Sequence, residues 1–254
     1  MDPLDAHKSP QSSRRILGIF AHPDDESYAA AGTLGTCARA GHTVHLLCAT
    51  GDSQEEPRAG ELRAAARILG AEVPIFLGLS DGQLHEIPEQ RGCALLHSWL
   101  ERLRPEVVVT LGDDGAYGHR DHLQLTRWVR TACRESNWQG RLLLCAFPRG
   151  LFAPVHSRLR KVLGHATVPL EASALGSPRN DADLVVRLDP EAARLKRSAV
   201  ACHRSQLPPS GDPMEFLRPG TLSGLLEEEW FTLAAGPALP RRASEPFAGL
   251  GCAG

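Results

Sequence analysis

The chain has 254 residues, 42% hydrophobic and 23% charged, with a formal net charge of -2. That is enough apolar material for one large core. The balanced charge, with no Lys/Arg stripe, excludes a nucleic-acid or anionic-membrane surface, which needs concentrated cationic side chains.

No apolar run reaches the ~18 residues of a membrane span, and the polar N-terminus carries no secretory apolar segment. The seven cysteines are odd in number and hold no C-x-x-C pair, so no disulfide framework is expected and the cytoplasm is the expected compartment. Residues 1 to 13 read as a disordered arm, residues 14 to 239 as one domain, and Pro240 to Gly254 as a disordered tail.

Arg15 to Ala21 is a predicted buried strand, and it empties into Ala21-His22-Pro23-Asp24-Asp25-Glu26. A small-residue helix pattern follows from Tyr28 to Arg39, with Gly41 as its cap, and then a strand over Thr43 to Ala49. After the polar loop Thr50 to Glu56, Leu62, Ala65, Ala66 and Leu69 recur at helical spacing within Arg58 to Leu69, and Gly70 stops that helix. Val73 to Leu77 is a short strand and Ser80-Asp81-Gly82 a loop. Leu95, Leu96, Trp99, Leu100 and Leu103 make one helical stripe closed by Pro105.

The unbroken run Val107 to Leu111 reads as a central parallel strand covered on both faces. A charged loop, Gly112 to Asp121, leads to a helix that turns Leu125, Trp128, Val129 and Ala132 inward, and Leu142 to Phe147 is the fifth strand. This alternation predicts an α/β fold: a Rossmann-like, doubly wound, mostly parallel sheet with helices on both faces and functional loops at the carboxyl ends of its strands. Beyond Pro148 the pattern weakens. Leu184 to Leu188 is a strand, and Asp189-Pro190 supplies the N-cap and first-turn proline of a helix from Glu191 to His203. Leu207 to Gly224 is an irregular flap over the site, and Leu225 to Leu233 a last packed segment.

Three carboxylates beside one imidazole at a strand end repel one another and lose hydration, so a cation, most simply a divalent metal, belongs among them. A capped turn accounts for one acid. It leaves the other acids and the histidine unexplained. The second charged loop, Tyr117-Gly118-His119-Arg120-Asp121-His122, faces that turn if the first and fourth strands are neighbours. His22, one aspartate and His122 then form a two-histidine, one-carboxylate set with an open position. His119 is left free for substrate, and Asp121 can fix an imidazole. The other histidines lack such company.

The paired motifs His22-Pro23-Asp24-Asp25-Glu26 and Tyr117 to His122 resemble those of the LmbE-like, PIG-L family of metal-dependent de-N-acetylases. Thr50-Gly51-Asp52, Arg58-Ala59-Gly60-Glu61-Leu62, Lys196 and His203-Arg204-Ser205-Gln206 extend the likeness over Arg15 to Gln206. The family acts on N-acetylglucosamine groups in mycothiol and bacillithiol synthesis, glycolipid anchors and antibiotics. The resemblance implies His22, Asp25 and His122 as ligands of Zn2+, with Fe2+ an alternative ion, and Asp24 as general base. It implies His119 as the imidazolium that protonates the leaving amine, Asp121 as its orienter, Tyr117 as a second oxyanion donor and Arg58 as a holder of substrate hydroxyls. Arg120 stands where the family commonly has proline.

The implied partner is a small-molecule sugar conjugate, with no nucleic acid and no membrane; a homo-oligomer is left open. Three rivals are an amidase of thiol or sugar conjugates, a non-catalytic metal- or sugar-binding protein, and an iron(II) oxygenase, which the strand-helix alternation disfavours. No G-x-G-x-x-G follows the first strand, which disfavours a dinucleotide enzyme.

Overall fold

The computed structural model describes residues 13–52, 57–153, 156–157, 160–161, 164–207 and 222–250. In chain order it forms β1 (Arg15–Phe20), α1 (Asp25–Ala29), α2 (Ala31–Arg39), β2 (Thr43–Thr50), α3 (Arg58–Leu69), β3 (Ile75–Leu79), α4 (Glu89–Leu103) and β4 (Val107–Leu111). Then come α5 (Gly115–Gly118), α6 (Arg120–Glu135), β5 (Arg141–Ala146), β6 (Leu184–Arg187), α7 (Pro190–Val200), α8 (Leu222–Glu227) and β7 (Glu228–Ala235). The strands make one seven-stranded sheet in the order β3-β2-β1-β4-β5-β7-β6. The first five strands are parallel; β7 runs antiparallel to β5, and β6 antiparallel to β7. The doubly wound, mostly parallel sheet expected from the alternating pattern is the fold.

The apolar runs alternate their side chains between two cores. Ile16, Phe20, Val107 and Val109 join Leu34 and Leu62 on one face. Leu17, Ile19 and Val108 join Leu96, Leu125 and Trp128 on the other. Helices α2, α3 and α7 pack together over the first face, α4 and α6 over the second. On that second face Gly92 of α4 lies against the Trp128 ring, where a Cβ would stand 2.3 Å from ring carbons.

Helix α3 has the expected bounds and ends at Gly70 in the left-handed conformation (φ 71°), and the Asp189 carboxylate caps α7 through the Ala192 N–H (2.7 Å). Elsewhere the elements differ from the expectation. The helix read over Tyr28 to Arg39 is two, because the backbone breaks at Ala30 (φ -144°, ψ 8°) and the first helix starts at Asp25. The third strand lies two residues later, paired Leu47 to Ile75 and Thr50 to Leu79, which leaves Val73 78% exposed. The charged loop before α6 contains α5, and Asp121 and His122 sit in the first turn of α6.

Residues 240–250, expected to be disordered, are packed. Phe247 is buried, and the fully buried Arg141 donates to the carbonyls of Pro237, Ala238, Pro246 and Ala248 at 2.5 to 3.0 Å. A buried guanidinium has to spend its donors, and this segment supplies the acceptors. The arm over residues 1–12, the end of the tail at 251–254 and most of the Leu207 to Gly224 flap lie outside the described residues. Among the described residues no helix is long and apolar enough to cross a membrane.

Candidate active site and metal centre

Because β1 and β4 are sheet neighbours, the loops at their carboxyl ends meet. From β1, the His22 N–H donates to Asp25 Oδ2 (2.9 Å) and closes the acidic turn. From β4, α6 opens with His119 as its N-cap, whose Nδ1 accepts the Asp121 N–H (3.2 Å), and its first turn delivers Asp121 and His122. Arg120, in the place of a proline, uses its N–H to donate to the Thr167 carbonyl (2.7 Å), a bond that proline could not make.

The outer nitrogen of each candidate ligand is committed. His22 Nε2 lies 3.2 Å from Asp121 Oδ2 and 3.0 Å from Asp81 Oδ1, and His122 Nδ1 lies 3.0 Å from the Gly115 carbonyl. Facing acceptors, these nitrogens carry the ring protons. The opposite nitrogens, His22 Nδ1 and His122 Nε2, are 3.0 Å apart. Asp25 Oδ1 is 3.3 Å from His122 Nε2, and Asp25 Oδ2 is 3.6 Å from His22 Nδ1. Two lone pairs and a carboxylate so disposed call for positive charge. Burial works against ionisation of His22, yet its hydrogen bonds to Asp121, Asp25 and Asp81 raise its pKa well above 6.5, so with no metal bound the ring itself carries the positive charge. Asp25 is penalised by burial but is held far below the usual carboxylate range by His122 and His22. Two imidazole nitrogens and one carboxylate, with their outer atoms fixed, fit a divalent cation with an open position.

Asp24, next in the chain, is turned elsewhere. Its Oδ2 is 3.9 Å from Arg58 Nη2, and its backbone is in the left-handed half of φ space (φ 129°, ψ -28°). Burial first, and then the Asp25 charge, push its carboxyl up to about 7, against the opposing pull of Arg58, His203 and His22. Arg58 itself spends Nη1 on Asp81 Oδ2 (3.0 Å) and Nη2 on the Pro23 carbonyl (3.1 Å).

The structure brings His22, Asp24, Asp25, Arg58, Tyr117, His119, Asp121 and His122 to one edge, but it reassigns two. The Asp121 carboxylate holds His22 and accepts the N–H groups of Gly82 (2.7 Å) and Leu84 (3.1 Å); only its backbone N–H meets His119. For His119, expected as an imidazolium, the metal-free site favours the neutral ring. Its Nδ1 is an acceptor, and burial with the charges of His122 and His22 lowers its pKa to about 3. Its ring stands edge-on to His22 (centroids 4.8 Å), leaving Nε2–H as its donor. The Tyr117 ring packs on His122 (5.2 Å) and His119 (5.8 Å), and burial, then the Asp25 and Asp24 charges, raise its phenol well above 10, so the hydroxyl keeps its proton.

Three residues escaped the sequence reading as parts of the site. Asp81 had one signal, its place at the carboxyl end of a strand on the same edge. Glu26 and His203, whose Oε1 and Nε2 are 2.9 Å apart, were marked separately, as the third acid of the turn and as the head of the His203-Arg204-Ser205-Gln206 match, with nothing local to pair them.

A doubly wound sheet thus carries this cluster, with a spare carboxylate beside it, at the carboxyl ends of β1 and β4. The family model described as PIG-L, GlcNAc-PI de-N-acetylase, matches residues 17–133, so that stretch of the chain is similar to the LmbE-like family. It is 28% identical over 281 residues to the 1D-myo-inositol 2-acetamido-2-deoxy-alpha-D-glucopyranoside deacetylase of Thermobifida fusca, covering 93% of this chain and 98% of the relative. Among solved structures, the N,N'-diacetylchitobiose deacetylase of Pyrococcus horikoshii shares the fold with a TM-score of 0.57 at 21% identity, covering 91% of this chain and 87% of that one. The 4-carboxy-2-hydroxymuconate hydratase GalB of Pseudomonas putida does so with a TM-score of 0.60 at 14% identity, covering 91% and 100%. The same sheet thus carries another chemistry, and the reaction has to be argued from the site.

Proposed function

We propose that the protein is a cytoplasmic, zinc-dependent hydrolase that removes the N-acetyl group from an N-acetylglucosamine-type sugar conjugate. The observation that carries this reading is the convergence of His22 Nδ1, His122 Nε2 and the Asp25 carboxylate, with Asp24 beside them and outside the set. The Thermobifida fusca relative's name supports the sugar, and points to an inositol glycoside rather than a bacillithiol precursor.

His22, His122 and Asp25 would hold the metal, which supplies Lewis acidity toward a carbonyl and acidifies water. Asp24 accepts a proton from the water that attacks the amide carbon. With a pKa near 7 it can return that proton to the nitrogen as the C–N bond breaks, so that free amine and acetate leave. His119 Nε2–H and the Tyr117 hydroxyl donate to the carbonyl oxygen as it gains charge, a contribution of roughly 3 kcal/mol per donor in other acyl-transfer sites. With its Nδ1 accepting the Asp121 N–H, His119 acts as a hydrogen-bond donor in this reading and leaves the returned proton to Asp24. Arg58, braced by Asp81, presents donors to sugar hydroxyls at the rim.

The test is acetate release by the zinc-loaded protein from a panel of N-acetylglucosamine conjugates, the inositol and malate glycosides included, with a chelated control. Chelator-sensitive release is the expected result, strongest for the inositol glycoside. Silence across the panel from protein that retains zinc would overturn the substrate class.

A further inference from the structure

Asp24 holds a backbone conformation that residues with a Cβ seldom adopt, and such conformations persist only where the surroundings over-determine them. Its carbonyl accepts the N–H groups of Ser27 (3.0 Å) and Tyr28 (3.3 Å), bonds that an ordinary helix start also makes. Its own N–H makes a bond that an ordinary start does not: it donates to Glu26 Oε2 (3.1 Å).

Glu26 is buried, and its other oxygen accepts the Ser27 hydroxyl (2.6 Å) and meets His203 Nε2 (2.9 Å). His203 is buried as well, just past the end of α7, with its N–H on the Val200 carbonyl (3.1 Å). Two residues on, the Ser205 N–H and hydroxyl hold Glu61 (2.8 and 2.7 Å) on α3, the helix that begins at Arg58. Ser27, His203 and Glu26 are the residue types of a nucleophilic triad. They are not arranged as one: all three are sealed from solvent, and His203 Nε2 serves both partners while its Nδ1 has none among the described residues.

We infer that Glu26 and His203 are a positioning pair for Asp24. By fixing its N–H they keep the strained turn in which two consecutive carboxylates diverge, Asp25 to the imidazoles and Asp24 toward Arg58. The inference rests on the reading of Asp24 as base, and its test separates the two.

In the full metal-loaded chain, His203→Ala is expected to keep its metal and to lose roughly 10- to 100-fold in kcat, with KM moved less than about threefold. His203→Gln, which restores an N–H donor to Glu26, should recover most of the rate. Hydrogen exchange of the Asp24 amide reads the clamp with no substrate present. In the wild type that amide should exchange as slowly as those of β1, and in His203→Ala at least about tenfold faster.

A wild-type Asp24 amide that exchanges as freely as a solvated loop would overturn the pair even if no variant folds. So would a His203→Ala protein that melts lower but keeps both its kcat per metal-loaded molecule and its slow Asp24 exchange. If Asp24→Asn turns over as fast as wild type, the base assignment fails alone, and the exchange measurement still decides the clamp.

Discussion

His22 Nδ1 and His122 Nε2 face each other at 3.0 Å, each the lone-pair side of a ring whose other nitrogen is turned to a buried acceptor. Two acceptors in that relation repel unless a cation stands between them. That cation is a proton on His22 when no metal is bound, since the surrounding carboxylates raise its pKa, and a metal can take its place between the same atoms, with Asp25 adding negative charge and the Gly115 carbonyl and the Asp121 carboxylate holding the rings.

His122→Ala should therefore abolish stoichiometric metal binding while leaving the fold in place. Metal analysis after gel filtration is the check. A full complement of metal in the variant would remove His122 from the ligand set.

Asp121→Asn is expected to weaken metal binding roughly 10- to 100-fold without touching a ligand atom, the usual consequence of releasing the partner of a ligating imidazole. Competition with a chromophoric chelator reads the affinity. Oδ2 serves both His22 and the Gly82 N–H while Oδ1 serves the Leu84 N–H, so an asparagine, with one oxygen, leaves at least one of these donors facing its amide nitrogen.

Asp24→Asn should keep metal and lose roughly 100- to 10,000-fold in turnover. In the chelated protein the same change should be stabilising in alkali. The Asp24 carboxyl is raised in the fold from its ordinary 3.8 to about 7, so its contribution to stability is fully present below pH 4 and is lost as pH rises through 7. The variant has no such loss. Its melting temperature should pull ahead of the wild type's between about pH 4 and 7, by at most ~1.4 kcal/mol per pH unit, and the gap should level off above that. A gap that ignores pH would mean that Asp24 is not raised.

Gly92→Ala tests the packing behind the site. The new methyl would overlap the buried Trp128 ring between α4 and α6, and overpacking of this kind costs about 1–3 kcal/mol. A lowered denaturation midpoint with unchanged metal binding is expected, since His22 and Asp25 lie off α6 and His122 sits in its first turn, ahead of Trp128.

The bounds of α3 and β4, the capped start of α7 and the two acidic, histidine-bearing loops were legible in the sequence. Each is marked by local features: an apolar period, a cap residue, or a charge density that a strand end does not tolerate without a partner. The break at Ala30 and the shift of β3 were not, because neighbouring elements set them; β3 takes its register from β2. The tail over residues 240–250 looked featureless because its partner is the buried Arg141, about a hundred residues earlier.

The sequence by itself determined the class of fold and the two acidic, histidine-bearing loops that meet at its edge, since those follow from residue types at strand ends and their order along the chain; which aspartate ligates and which stays spare came from the family resemblance. Only the tertiary structure decided which imidazole Asp121 orients, that His119 Nδ1 takes the Asp121 N–H, that Asp81 joins the site, and that Glu26 and His203 sit behind Asp24. Those are properties of pairs. A ring proton resides on the nitrogen that faces an acceptor. For His22 that acceptor is brought in from 99 residues away, and no pattern around position 22 records it.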